Sequence, residues 1–276
     1  MIDKAEKSEG FAKTWLIDRI AYPAVGFAIL IGLWAIGGWF LEANPATSSF
    51  VKFGLVPTLQ AVPGLIETGY IAEHVIASGY RLLIGLFLAI LIGVPIGIAI
   101  GLSKITEQVS NEPFQLLRMV SPLSWMPIVV FVFPKWDQAI IFLIAVAAIW
   151  PVIYATAAGL KKVDPAWFKV SRNLGANFYK MLAQVIFPAI AFDIFTGIRL
   201  ALGIAWVVLV PAELLGVSSG LGYAIKDARE TLAYDHLTAM VVVIGIIGFT
   251  LDTVSYTHLR AHETREDLVC RLLLEK

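Results

Sequence analysis

Six mostly apolar stretches, each about long enough to cross a bilayer as a helix, recur along this chain: Ile20–Leu41, Arg81–Leu102, Leu116–Phe133, Ala139–Leu160, Ala189–Leu215 and Leu237–Val254. A hydrocarbon core ~30 Å thick needs roughly 20 apolar helical residues to span it. A helix also satisfies its own backbone amides where no water can. Composition agrees: 58% of the 276 residues are apolar and only 15% charged, against about 25% charged in ordinary soluble domains. A globule of this size has too little interior to hide so much apolar surface. The expected fold is therefore all-α and integral to the membrane, with about six transmembrane helices.

Several functions are excluded by residue content. The 21 basic and 21 acidic side chains give zero net charge, and no Lys/Arg-rich run points to nucleic acid. A single cysteine, Cys270, rules out disulfides, a cysteine-based zinc site and a CxxC redox pair. His258 and His262, near Glu263, lack the HExxH pattern, so no metal ligand is assigned. Neither a GxxxxGK[ST] phosphate loop nor a GxGxxG turn is present, so no cofactor is expected in this chain. One catalytic pattern does occur. Gly216–Gly220 fits GxSxG, and Ser218 with His236 as base would make a rhomboid-like intramembrane serine hydrolase. A flexible glycine turn explains the same five residues, and otherwise no catalytic residue is assigned.

Prolines and charges set the expected topology. Pro122 and Pro127 predict a kinked or broken third span, and Pro151 and Pro211 lie in the fourth and fifth. The first window is longer than the 7–15 residues of a signal-peptide core, so an uncleaved anchor is expected. With the N-terminus in the cytoplasm, Lys4, Lys7, Lys13, Arg19, Lys104, Arg118, Lys161, Lys162, Lys169, Arg172 and Lys180 fall inside. Only Lys52, Arg81, Lys135, Lys226 and Arg229 fall outside, an asymmetry that favours this orientation. Residues 1–19 then form a cytoplasmic N-terminal segment and residues 20–254 the transmembrane domain. Glu42–Tyr80, with an amphipathic patch near Leu65–Ile76, and Gly216–His236 are outer excursions. At Ser255 the texture turns charged and mixed. The sixth helix is expected to stop there, and residues 255–276 are read as a non-native tail, the other reading being a cytoplasmic helix.

Small residues mark the interior faces. Gly85, Ala89, Gly93, Gly97 and Gly101 recur every four residues, as do Gly197, Ala201 and Ala205. Such stripes let helix backbones approach closely within lipid. Asp193, Arg199 and Glu213 lie in the fifth window, where a charge at the bilayer centre costs at least about 2.5 kcal/mol. Arg199, the deepest, either attracts a passing oxyanion or forms an ion pair with Asp193, Glu213 or a neighbouring helix. Asp193 and Glu213 lie nearer the two ends. Trp125 and Trp206 are candidates to line a pathway or to pack.

The longest inner loop, Lys161 to Phe187, is the most informative. Asp164 can cap a helix that begins at Pro165. Trp167, Val170, Leu174 and Phe178 follow at helical spacing, with Lys169, Arg172 and Asn173 on other faces, and Gly175 should end or bend the helix. Such an amphipathic helix either lies on the membrane surface or docks in a partner's groove.

Gly175, nine residues, then Val185-Ile186-Phe187-Pro188 resembles the cytoplasmic signature of permease subunits of ATP-binding-cassette (ABC) importers: EAA, three residues, Gly, nine residues, Ile-x-Leu-Pro. Lys169, Val170 and Ser171 stand where the EAA triplet would be. Four further stretches are similar to the nitrate, sulfonate, taurine and bicarbonate branch: Arg81–Leu102, Ile149–Pro165, Thr196–Gly216 and Ser218–Arg229. The resemblance spans roughly Pro57 to Leu251. It implies a type I importer bundle whose coupling loop, residues 161–188, meets an ATPase subunit through Asp164, Trp167, Lys169, Arg172, Leu174, Gly175, Ala176 and Pro188. ATP would be bound by those partner subunits. A second permease copy and a periplasmic or lipid-anchored solute-binding protein would complete the assembly in the lipid of a bacterial inner membrane. The resemblance favours a small oxyanion as solute; Arg199, Trp206 and Glu213 of the fifth window are the candidates to line its pathway. A stand-alone secondary carrier would show an inverted repeat, which the sequence lacks.

Overall fold

Proline and glycine decide where the helices of this chain stop. The computed structural model describes residues 21–274, with no strand among them. The helices are α1 (Tyr22–Ala43), α2 (Leu55–Glu67), α3 (Tyr70–Leu102), α4 (Lys104–Met119), α5 (Met126–Val132), α6 (Trp136–Lys162), α7 (Pro165–Asn173), α8 (Phe178–Met181), α9 (Phe187–Glu213), α10 (Leu221–Glu230) and α11 (Tyr234–Leu274). Short 3-10 turns occupy Pro45–Phe53 and Pro122–Trp125, and a π turn covers Leu182–Ile186. The expected N-terminal segment, residues 1–19, lies outside the described residues.

Among the described residues five helices are long and apolar enough to cross a membrane, and α4 with Pro122–Val132 makes a sixth if that pair, bent by 84°, counts as one span. The third apolar window, Leu116–Phe133, is therefore not one helix. Val120 and Ser121 are extended, with ψ of 123° and 129°, because the residue before a proline is pushed out of the α region and Pro122 follows.

Three other boundaries differ from the sequence expectation. The second span begins at Tyr70, eleven residues before Arg81, so Arg81 is a helix residue only 3% exposed rather than a loop charge. The patch Leu65–Ile76 is split at Gly69, whose φ of +73° ends α2 and lets α3 start. The helix that carries the sixth window does not stop at Val254 but continues to Leu274, since the mixed charges after Ser255 are good helix formers.

The described residues form two compact units, one from the residues up to Gly69 with Asp227–Val241, the other from Tyr70–Lys226 with the residues from Val242 on. In the first unit α1 is apolar on all sides, with Phe27, Leu30, Leu33 and Trp39 exposed, as a lipid-facing helix should be. The Trp34 indole N–H donates to the Phe53 carbonyl at 2.9 Å, and Phe53 stacks on Tyr234 at 4.5 Å.

The second unit is built around α6, which packs against α3 and α9. The glycine stripe lies along that contact. A Cβ on Gly85 would meet Ile144, on Gly93 Val152, on Gly97 Ile153 and Thr156, and on Gly101 Leu160. Gly197 of α9 faces Ala155 and Pro151 in the same way. Ile140, Leu143, Ile144, Val152 and Ile153 of α6 are almost wholly buried as a result.

Candidate coupling helix and translocation pathway

The Asp164 carboxylate accepts from the Ala166 amide at 2.8 Å, and Pro165, with no N–H to leave unpaired, starts α7. At the other end, Gly175 has φ +76°, its N–H donates to Arg172 O, and the Ala176 N–H donates to Ser171 O, both at 3.0 Å. This pair of bonds is a Schellman cap, which needs a left-handed residue at the Gly175 position. Nothing lies within 4 Å of a Cβ placed there, so the cost of a side chain is conformational alone. Gly175→Ala is expected to loosen the cap by about 1 kcal/mol, seen as roughly fivefold faster amide exchange at Gly175 and Ala176. Unchanged exchange would refute it.

Two faces of α7 differ. Phe168 packs against the core and Ser171 is buried, bonding back to Trp167 O. Trp167, Val170 and Leu174 are exposed, Leu174 by 82%, with Lys169 and Arg172 beside them. Phe168, which sequence periodicity did not single out, is what anchors the helix.

Beyond the cap, Asn177 accepts from the Lys180 amide to start α8. The Phe187 N–H then reaches back five residues to Leu182 O. Pro188 follows as the second residue of α9 and donates to nothing, so the ladder is interrupted where α7 and α8 are joined to the long span. The ends of the spans are tied here by Lys162–Asp193 and Lys161–Glu107 ion pairs, both 2.6 Å. Exposed pairs of this kind contribute little energy, but they fix relative position.

A second constellation lies at the opposite ends of α6 and α9. Arg81 donates to Asp137 Oδ1 at 2.7 Å, to Glu213, and to the carbonyl and hydroxyl of Ser219. The Ser78 hydroxyl donates to the Glu213 carboxylate and accepts from the Leu221 amide, both at 2.8 Å. The Gly220 amide donates to His74 Nδ1, and the Gly222 amide donates to Glu213. Glu213 is fully buried. Sequence reasoning missed this cluster, although His74, Ser78 and Arg81 share one helical face, a spacing that could have marked them.

The pathway candidates are not gathered at one place. Arg199 and Glu213 are 14 residues apart on one helix, about 21 Å along its axis. Arg199 pairs with Asp252 at 3.1 Å and lies over the Tyr256 ring, which is the ion pair with a neighbouring helix. Trp206 packs where α9 meets Gly248, a Cβ there lying 2.6 Å from the indole nitrogen. Trp125 is half-buried against the core. Among the described residues no group of His, Cys, Asp or Glu is placed to hold a metal.

The family model of the binding-protein-dependent transport system inner membrane component matches residues 84–267. The chain belongs to this family. The permease is 38% identical to the taurine transport system permease protein TauC of Escherichia coli, over 65% of this chain and 66% of that one. It is 30% identical to the nitrate import permease protein NrtB of Synechocystis, over 85% and 86%. Its fold matches an inward-facing MetNI methionine ABC transporter chain with a TM-score of 0.56 and 15% identity, covering 68% of this chain and 94% of that one.

The permease is thus a multi-pass integral membrane subunit of an ABC importer, and works with ATPase subunits and a binding protein. It is a transport protein and not an enzyme. The GxSxG match has a packing explanation: the Trp136 ring lies on Gly216, and Gly220, at φ +110°, has Glu213 and Arg81 where a side chain would go. Ser218 itself is exposed.

Proposed function

We propose that this permease carries a small oxyanion, such as nitrate, a sulfonate like taurine, or bicarbonate, across a bacterial inner membrane with its N-terminus in the cytoplasm. Two copies, or this chain and a close relative, enclose the pathway, and a periplasmic or lipid-anchored binding protein delivers the solute. ATP is bound by the partner ATPases, and this chain binds no cofactor. The names of the nitrate and taurine relatives support the solute class.

The observation that carries the coupling role is α7. A helix fixed at both ends and anchored by Phe168 presents Trp167, Val170 and Leu174 outward, an apolar face suited to a partner's groove. Asp164, Lys169, Arg172, Gly175, Ala176 and Pro188 shape or flank that face. Closure of the ATPases would move α7 as a rigid lever and tilt the packed α6 and α9. Trp167→Asp and Leu174→Asp are expected to reduce co-purification of the ATPase about tenfold or more, with membrane insertion intact. Retention of the ATPase at the native ratio would remove the coupling role.

A further inference from the structure

Three arginines in or beside the spans have different surroundings. Arg81 is neutralised by Glu213 and Asp137, and Arg199 by Asp252. Arg118, in the last turn of α4, has no carboxylate partner among the described residues. Its guanidinium lies over the Tyr154 ring, 5.2 Å from the centroid. A ring face attracts a cation without cancelling its charge.

Arg118 and Tyr154 line a cavity of about 560 Å³ together with Pro122, Trp150, Leu200 and Ile204. That volume lies within the range of small-molecule sites. Trp150 is near the middle of α6 and Leu200 at the middle of α9, so the cavity lies at mid-length of both spans. The irregular backbone between α4 and the Pro122 turn forms part of its wall. Non-helical backbone at such depth is tolerated where it is enclosed by protein or lines a cavity, and broken helices at the midplane mark solute sites.

We infer that this cavity holds the anionic solute midway along the pathway, with Arg118 binding its charge and Trp150 and Tyr154 limiting its size. The inference rests on the oxyanion reading above. A guanidinium presents parallel N–H donors that fit two oxygens of a nitrate, sulfonate or bicarbonate group. Arg199 offers the same fork only by giving up Asp252, so Arg118 replaces it as the cation that meets the solute.

The test uses the permease with its ATPase and binding protein in proteoliposomes, offered labelled nitrate, taurine and bicarbonate separately. The wild-type complex moves at least one of them. Arg118→Gln is expected to lower that uptake about tenfold or more with the ATPase still bound. Because Arg118→Gln also removes contact with Tyr154, Arg118→Cys in a Cys270→Ser background separates charge from packing. A cationic methanethiosulfonate reagent should restore uptake and an anionic one should not. Normal uptake by Arg118→Gln, or equal rescue by both reagents, overturns the inference and leaves oxyanion transport standing. Wild-type uptake of none of the three anions overturns both.

Discussion

Arg81→Met is expected to destabilise the permease by about 3–5 kcal/mol, because it leaves a buried carboxylate without its cation. Glu213 is fully enclosed, and without Arg81 it keeps only the Ser78 hydroxyl and the Gly222 amide. The Ser219 carbonyl also loses its donor. Replacing both charges is expected to be milder. Arg81→Met with Glu213→Leu should recover part of that loss, since no bare charge stays buried, but the Gly222 amide and the Ser219 carbonyl still lose their partners. Denaturant unfolding of the purified chain in detergent reads both. Equal destabilisation of the single and double variants would show that the Arg81–Glu213 pair is not what holds Gly216–Gly222 to α3 and the end of α9.

Gly97→Leu should be nearly as damaging, about 3 kcal/mol, by forcing α3 and α6 apart. A Cβ alone would sit 2.7 Å from the Ile153 carbonyl oxygen and 2.7 Å from Thr156 Cβ, and both neighbours are enclosed within the helix pair. Gly79, on the same helix, is the control, because nothing lies within 4 Å of a Cβ there. Gly79→Leu should be neutral or slightly stabilising, as a glycine in a helix interior costs about 1 kcal/mol against a better helix former. Melting of the monodisperse fraction would separate the two, and equal melting temperatures would mean the glycine stripe is not a packing seam.

Much of the fold was legible because its signals are local. Apolar length located the spans, four-residue spacing located the seam that α6 fills, and Asp164-Pro165 with Gly175 fixed both ends of α7. Each depends on residues within a few positions of one another. Charged residues were read less well. By sequence Arg81 reads as a charge at the edge of a span, because hydropathy ends a window at a charge, yet its partner Glu213 is 132 positions away. Asp252, which occupies Arg199, and Phe168, which seats α7, were missed for the same reason. The third window was expected to be bent, but not that Arg118 at its bend would share a cavity with Tyr154 and Leu200 from two other helices.

The sequence by itself determined that this chain lives in a membrane, which of its faces are close-packed, and where a short amphipathic helix interrupts the spans. Apolar content, small-residue period and capping chemistry act over one or two helical turns, so no knowledge of the fold is needed to read them. The tertiary structure alone decided which arginines are paired with carboxylates and which lies over a ring instead. The field at a cation depends on what lies within a few ångströms in space, and in a bundle those neighbours come from helices distant in the chain.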